Sequence, residues 1–128
     1  MRLAVSLPGD FSDYELLCTV LNNIEFDEIV TIKNPLIEQY KKEFNRAIQT
    51  FDIKWDDING ATNIKQSKFG KMYNADAPEV AAQKVVDYST HIVEFDNGDF
   101  NINKLAKKKG LTQVQGPPKQ KIVKRYKF

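Results

Sequence analysis

Residues 2–21, RLAVSLPGDFSDYELLCTVL, have the pattern of a strand, a polar loop and a helix. Residues 3–5 (LAV) form the short apolar run of a strand that is buried on both faces. Ser12 and Glu15 fit a capping box, in which the Ser12 hydroxyl accepts from an amide of the first helical turn and Glu15 reaches back. The apolar positions that follow share one helical stripe. A strand that leads into a helix through a polar loop is the usual first unit of an open α/β sheet.

The same alternation of strand and helix continues along the chain. It predicts strands at residues 28–32, 51–55, 90–95 and 111–115, and helices at residues 35–49 and 102–109. A further helix is predicted after Asp76, with Pro78 in its first turn and Val80, Ala81, Val85 and Tyr88 as its packing positions. Asn34 is the expected N-cap of the second helix, Asp76 caps the third, and Gly110 ends the fourth in a left-handed conformation. The predicted fold class is therefore α/β, a Rossmann-like open, mostly parallel sheet with helices on both faces.

Length and composition indicate one folded domain. The chain has 128 residues, an apolar fraction of 41% and a net charge of +2, which suits a globular domain with its own core. We expect a Rossmann-like domain at residues 1–115 and a basic extension at residues 116–128. Cys18 is the only cysteine, so an internal disulfide and a multi-cysteine zinc site are excluded. We expect a cytoplasmic protein, because the sequence has neither a signal-peptide pattern nor an apolar run of ~20 residues.

The modest net charge conceals an asymmetry between the two ends of the chain. Residues 1–103 contain 10 Lys and Arg residues against 17 Asp and Glu residues, a net charge of −7. Residues 104–128 contain 9 Lys and Arg residues and no acid, a net charge of +9. An acidic body with a basic end suggests either an anionic partner or an end segment that folds back on its own body.

The polar stretch at residues 56–78 is long for a loop in a compact domain. Gly60, Gly70 and Pro78 punctuate it. By the usual lengths of connections, such a segment is expected to be functional, mobile or partly structured.

Ligands of open parallel sheets bind beyond the carboxyl ends of the strands. Here those ends are the loops at residues 6–12, 32–36 and 96–100. The candidate ligand-loop residues are Ser6, Gly9, Asp10, Asn34, Asp96 and Asp99.

The order RLAVS, DF, DYELLCTVL and DEIVTI resembles the small single-domain branch of the SLOG superfamily, Rossmann-like proteins related to DprA and to the LOG nucleotide hydrolases. The resemblance spans roughly residues 2–114. It implies a Gly-Ser-Arg loop after the first strand and a Gly-Gly-Ala-x-Gly-x-Asp loop after the second, which together hold a phosphate. In this chain the first loop is SLPGDF (residues 6–11) and the second is TIKNPL (residues 31–36). The family's Arg-Asn pair corresponds to about residues 75–79, where the arginine is absent.

These changes argue against a phosphate at the usual site. Side chains at glycine positions block the approach of a phosphate to backbone amides, and Pro35 removes one amide donor. Asp10 and Asp13 place negative charge at the first loop, and Asp96 and Asp99 place it at the third. These four carboxylates could hold a divalent metal, but we interpret them as turn and capping residues.

No catalytic residue is therefore assigned, and no cofactor or metal is predicted. His91 is the only histidine, and the chain contains no Ser-His-Asp or Cys-His arrangement, no P-loop and no His-Glu-x-x-His motif. An acidic catalytic pair stays open, because carboxylates are common.

The basic end of the chain is the candidate surface for nucleic acid or for a partner. Its candidate residues are Lys107, Lys108, Lys109, Lys119, Lys121, Lys124, Arg125, Tyr126 and Phe128. Cations and interleaved aromatic rings suit non-specific nucleic-acid binding. The apolar residues among 119–128 equally suit an added edge strand, in the same chain or in a second copy that would form a homo-oligomer.

Three functional interpretations follow. The first is a non-enzymatic binding or accessory protein with a degenerate SLOG-like fold, encoded by a phage and acting on a protein partner. The second is a protein that binds or hydrolyses a nucleotide derivative through altered loops. The third is an accessory protein that binds nucleic acid through the basic carboxyl-terminal part.

Overall fold

A sheet of five parallel strands lies at the centre of the protein, and the computed structural model describes residues 1–58 and 61–116 of the chain. The sheet strands are β1 (Arg2–Ser6), β2 (Glu28–Ile32), β3 (Ile48–Phe51), β6 (His91–Glu94) and β7 (Thr112–Gln113). A separate antiparallel hairpin consists of β4 (Ile64–Gln66) and β5 (Met72–Asn74). The helices are α1 (Tyr14–Asn22), α2 (Pro35–Phe44), α3 (Ala77–Tyr88) and α4 (Phe100–Lys109). The predicted α/β class, a Rossmann-like open sheet, is confirmed.

The strand order is β3-β2-β1-β6-β7, so β1 is the central strand. It pairs in parallel with β2, where Ala4 lies opposite Val30, and with β6, where Val5 lies opposite Val93. All four of these residues are fully buried. The direction of growth of the sheet reverses between β1 and β6, which makes their carboxyl ends the topological switch point of the fold.

Helices cover both faces of the sheet. On one face Leu3 and Val5 pack in one cluster with Leu17 of α1 and Ile37 of α2. On the other face Ala4 and Val30 pack with α3 and α4, through Val85, Ile102 and neighbouring small residues. Successive residues of β1 thus serve opposite cores, as the pleat of a doubly covered strand requires.

The first helix begins one residue later than the capping box predicts. Asp13, and not Ser12, is its N-cap, and the Asp13 carboxylate accepts from the Leu16 amide at 3.1 Å. A carboxylate at this position adds a favourable interaction with the helix dipole to the hydrogen bond.

The second helix and the third strand were placed incorrectly by the sequence pattern. Helix α2 ends at Phe44, because Asn45 adopts the left-handed conformation (φ 52°) that asparagine tolerates. The predicted helical positions up to Gln49 therefore include the start of β3, in which Ile48 pairs with Ile29. Strand β3 ends at Phe51, so residues 52–55 continue beyond the sheet.

The polar stretch at residues 56–78 contains the β4–β5 hairpin, which the sequence analysis did not predict. Ser67 and Gly70 close its turn, with the Gly70 amide donating to the Ser67 carbonyl at 2.9 Å. Gly70 has φ +86°, a conformation that glycine adopts readily.

One tyrosine is completely buried between the first two helices. The Tyr40 hydroxyl donates to Asn22 Oδ1 at 2.8 Å, and Tyr40 is fully shielded from solvent. Burial raises the pKa of the Tyr40 hydroxyl above its usual value.

The carboxyl-terminal part of the domain follows the prediction closely. Helix α4 ends at Lys109, and Gly110 has the expected left-handed conformation (φ 84°). The last sheet strand contains two residues, after which the Val114 amide donates to the Ile92 carbonyl at 2.8 Å. The predicted arm or edge strand at residues 119–128 lies outside the described residues. No helix within the described ranges is long and apolar enough to cross a membrane.

We predict that Val93→Asp prevents folding. Val93 is fully buried in a strand that pairs directly with β1, so the variant would bury an unpaired charge at a cost of at least about 4 kcal/mol. Thermal unfolding and solubility are the measurements. Val80→Asp is the matched control, because Val80 is 47% exposed on α3. A soluble Val93→Asp protein with the melting temperature of the parent would contradict the sheet topology.

Candidate functional site

The loops at the switch point are joined by a small polar network. Ser6 is fully buried, and its Oγ donates to Asn103 Oδ1 at 2.6 Å while accepting from the Asp99 amide at 2.7 Å. Asn103 Nδ2 in turn donates to the Asn97 carbonyl at 2.9 Å. The Ser6 hydroxyl is thus used to fix the β6–α4 turn against β1. The predicted ligand residues Ser6 and Asp99 do meet, but in a structural contact.

Apolar side chains fill the space beside this network. Leu7 follows β1, Phe95 follows β6, and Phe11 packs edge-on against Phe95 with 5.4 Å between ring centroids. The exposed fractions are 8% for Leu7, 9% for Phe11 and 0% for Phe95. The crevice that would receive a ligand between β1 and β6 therefore belongs to the hydrophobic core.

Of the helix N-termini at this edge, that of α3 lacks the predicted side-chain cap, because the Asp76 carboxylate bonds no helix amide and accepts from Asn63 Nδ2 instead. The other three are capped by their own residues. Asp13 caps α1 and Asp99 caps α4, where its Oδ1 accepts from the Ile102 amide at 2.9 Å. Asn34 caps α2 and accepts from the Leu36 amide at 2.8 Å. A phosphate at any of these termini would compete with a side chain already bound to the amides. At α1 and α4 it would also meet a carboxylate.

The remaining ligand-loop candidates lie at the surface. Gly9 and Asp10 are exposed, and a Cβ added to Gly9 would meet no atom within 4 Å. Asp96 is exposed with a left-handed backbone (φ 54°). Within residues 1–58 and 61–116, no three His, Cys, Asp or Glu side chains converge in a group that could hold a metal ion. His91 lies at the amino end of β6, with its Nδ1 2.8 Å from Thr90 Oγ1.

The basic candidates on α4 divide into free and engaged side chains. Lys109 Nζ donates to the carbonyls of Val86 and Asp87 at 2.9 and 3.0 Å, which ties the end of α4 to the end of α3. Lys107 and Lys108 are exposed. The candidates Lys119, Lys121, Lys124, Arg125, Tyr126 and Phe128 lie outside the described residues.

A cleft at the β3 edge of the sheet gathers four lysines. We call it the lysine cleft, and its lysines are Lys33, Lys41, Lys54 and Lys84. Glu38 and Asp52 are the two carboxylates that line it, so its lining has an excess of two positive charges. The volume of the cleft is about 380 Å³.

Next to the lysine cleft, the β4–β5 hairpin presents aromatic rings and further lysines. We call this the hairpin surface, formed by Trp55, Lys65, Lys68, Phe69, Lys71 and Tyr73. Trp55 is 48% exposed and Phe69, at the tip of the turn, is 87% exposed. Trp55 and Tyr73 pack edge-on with ring centroids 6.0 Å apart. The sequence analysis missed both features, although the run KQSKFGKM (residues 65–72) contains three lysines, no acid and an aromatic residue in a turn.

The fold and this edge define a Rossmann-like α/β protein with a filled switch-point crevice and a basic, aromatic surface at one end of the sheet. Comparisons of the chain with protein-family models, with curated proteins and with solved structures give no match.

We predict that Gly98→Ala destabilises the protein strongly. Gly98 has φ +69°, and a Cβ there would lie 2.6 Å from Asn103 Nδ2 and 2.7 Å from Ser6 Oγ. The backbone strain and the disturbed polar network together should cost about 2–4 kcal/mol. We expect the melting temperature to fall by about 10 °C. Gly9→Ala is the control and should change it by less than about 2 °C; equal effects of the two substitutions would contradict this account of the switch point.

Proposed function

We propose that this protein is a non-enzymatic binding protein, a diverged SLOG-like domain that has lost its nucleotide site and acts through a macromolecular partner. The observation that supports this proposal best is the packing of Phe11 against Phe95 and Leu7 at the switch point. In an open α/β sheet this is the place where a ligand would bind.

Opening the crevice would lower the affinity of any ligand that binds there. Exposing the Phe11 ring would cost about 1.5–3 kcal/mol. Displacing one capping side chain would cost about 1 kcal/mol more. A nucleotide in this crevice would therefore lose about a hundredfold to a thousandfold in affinity before making any contact. The carboxylates of Asp13 and Asp99 would add repulsion toward its phosphates.

The partner that the sequence favours is a protein, of the phage or of its host. The alternative, binding of nucleic acid through the basic carboxyl-terminal part, is supported by the exposed Lys107 and Lys108 on α4. It is weakened by the engagement of Lys109 in the α3–α4 contact. Lys104 is likewise occupied, since its Nζ lies 3.2 Å from Glu79 Oε2.

We predict that nucleotides do not stabilise the protein. Thermal unfolding is measured with millimolar ATP, GTP, cyclic AMP and NAD, and calorimetry is run with the same compounds. A ligand at 100 times its dissociation constant would add ~2.7 kcal/mol, a shift of several degrees in melting temperature. We expect shifts below 1 °C. Micromolar affinity for any of these compounds would contradict the proposal and favour a nucleotide-binding protein with altered loops.

We predict that Phe11→Ala lowers the free energy of unfolding by about 3 kcal/mol, because the ring is buried and the cavity would remain. Phe100→Ala is the matched control: Phe100 is 74% exposed on α4, so its loss should cost less than about 0.5 kcal/mol. Denaturant unfolding measures both. A Phe11 ring reserved for stacking on a ligand would not be needed for stability, so equal small effects would contradict the filled crevice.

A further inference from the structure

The acidic body of the protein concentrates its positive charge at one place. Seven of the ten Lys and Arg residues among residues 1–103 belong to the lysine cleft or the hairpin surface. Within residues 1–58 and 61–116, no ion pair involves any of these seven lysines. The two arginines of the body stack on aromatic rings, Arg2 on Tyr88 and Arg46 on Phe26, and Lys68 Nζ lies 5.5 Å from the centre of the Phe69 ring.

The hairpin is held in place by a set of backbone and side-chain contacts. The Asn74 amide donates to the Trp55 carbonyl at 2.7 Å, and Asn63 Nδ2 donates to Asp76 Oδ1, just before α3, at 3.1 Å. Within the turn, Ser67 Oγ accepts from the amides of Phe69 and Lys71 at 3.3 and 3.2 Å. Such fixed geometry lowers the entropy cost of binding.

The strand register places cations beside an aromatic ring. Lys65 lies directly opposite Tyr73 in the β4–β5 ladder. Lys71 and Tyr73 line one shallow groove with Trp55. A half-exposed indole that shares a groove with a lysine suits a nucleotide unit, which offers a flat base and a phosphate.

Lys54 connects this groove with the lysine cleft. It lines the cleft, while its chain neighbours Ile53 and Trp55 line the groove. Lysines therefore line both the groove and the cleft that reaches the carboxyl ends of β2 and β3, and the groove contains one carboxylate, Asp56.

We propose that the hairpin surface and the lysine cleft together bind single-stranded nucleic acid. Stacking on Trp55 and Phe69 needs unpaired bases, and lysines hold the phosphates as point charges. Sequence preference is weak, because no arginine of this edge could read a base through paired hydrogen bonds. A protein partner fits less well, because lysine is depleted at protein interfaces. The proposal goes beyond the proposed function, because it adds a nucleic-acid ligand to the protein partner proposed above, on a surface separate from the basic end of the chain.

Trp55 is the only tryptophan, so its fluorescence reports directly on the proposed site. The full chain is titrated with a 12-nucleotide oligo(dT) and a 12-nucleotide oligo(U) at 50 mM salt, and fluorescence quenching is recorded. The affinity is measured independently by anisotropy of the labelled oligonucleotide between 50 and 200 mM salt. We expect quenching, and a log–log salt slope of about −2 if three lysines contact phosphates.

Two substitutions test the surface without disturbing the fold. Phe69→Ala, at the exposed tip, should weaken oligonucleotide binding by between about fivefold and a hundredfold. The double variant Lys65→Gln and Lys71→Gln should weaken binding and reduce the salt slope by about 1.4. The matched controls are Phe100→Ala and the double variant Lys107→Gln and Lys108→Gln on α4, which should leave the affinity unchanged. Melting temperatures verify that each variant is folded.

Several outcomes would overturn the proposal. One is the lack of oligonucleotide binding at 50 mM salt; another is binding that the α4 variant abolishes and the hairpin variants do not affect. A blue shift of Trp55 emission with vesicles of phosphatidylcholine and phosphatidylserine, without quenching by oligonucleotides, would indicate a lipid surface instead. A mononucleotide that binds at the switch point would bind the Phe69→Ala variant as tightly as the parent protein. That result would overturn the proposed function and leave the hairpin inference to its own test.

Discussion

The pairing of β1 on both of its edges is the constraint on which the rest of the structure depends. Hydrogen bonds to β2 and β6 satisfy its backbone on both edges, while Val5 packs on one face and Ala4 on the other. At the carboxyl end of β1, the Ser6 hydroxyl accepts from the Asp99 amide at the start of α4. That contact places the β6–α4 turn where a ligand would otherwise enter.

The structural elements that are buried on both faces were predictable from the sequence. The ends of the helices, which depend on small local differences in free energy, were less predictable. The apolar runs of β1, β2 and β6 predicted the parallel sheet because a doubly covered strand has little freedom in composition. The end of α2 was missed because Ile48 continues the helical spacing, whereas Asn45 leaves the helix and Ile48 pairs with Ile29 instead. The choice of Asp13 over Ser12 as N-cap likewise rests on a difference of a fraction of a kcal/mol.

The position of the strand-end loops was predictable from the sequence, and the side chains that fill the space between them were not. Chain order placed the loops at residues 6–12, 32–36 and 96–100 at the strand ends, and the substituted glycines argued against a phosphate there. Nothing in the spacing of Leu7, Phe11 and Phe95 indicated that these three side chains would pack together, because they come from two loops that are distant in the sequence. The hairpin was hidden for another reason: strands of three residues have too short a pattern for alternation to be recognised.

The distribution of charge favours a binding surface at the β3 edge of the acidic body. An overall acidic domain repels a polyanion from most directions, and this repulsion acts over about 10 Å at moderate salt. The lysine cleft and the hairpin surface form a positively charged region in this otherwise negative potential, so a bound nucleic acid is oriented as well as attracted. The same edge is where β3 has a neighbour on one side only. A binding surface at this edge therefore leaves the core around β1 unchanged. The filled crevice between β1 and β6 lies on the other side of β2 and helps to stabilise that core.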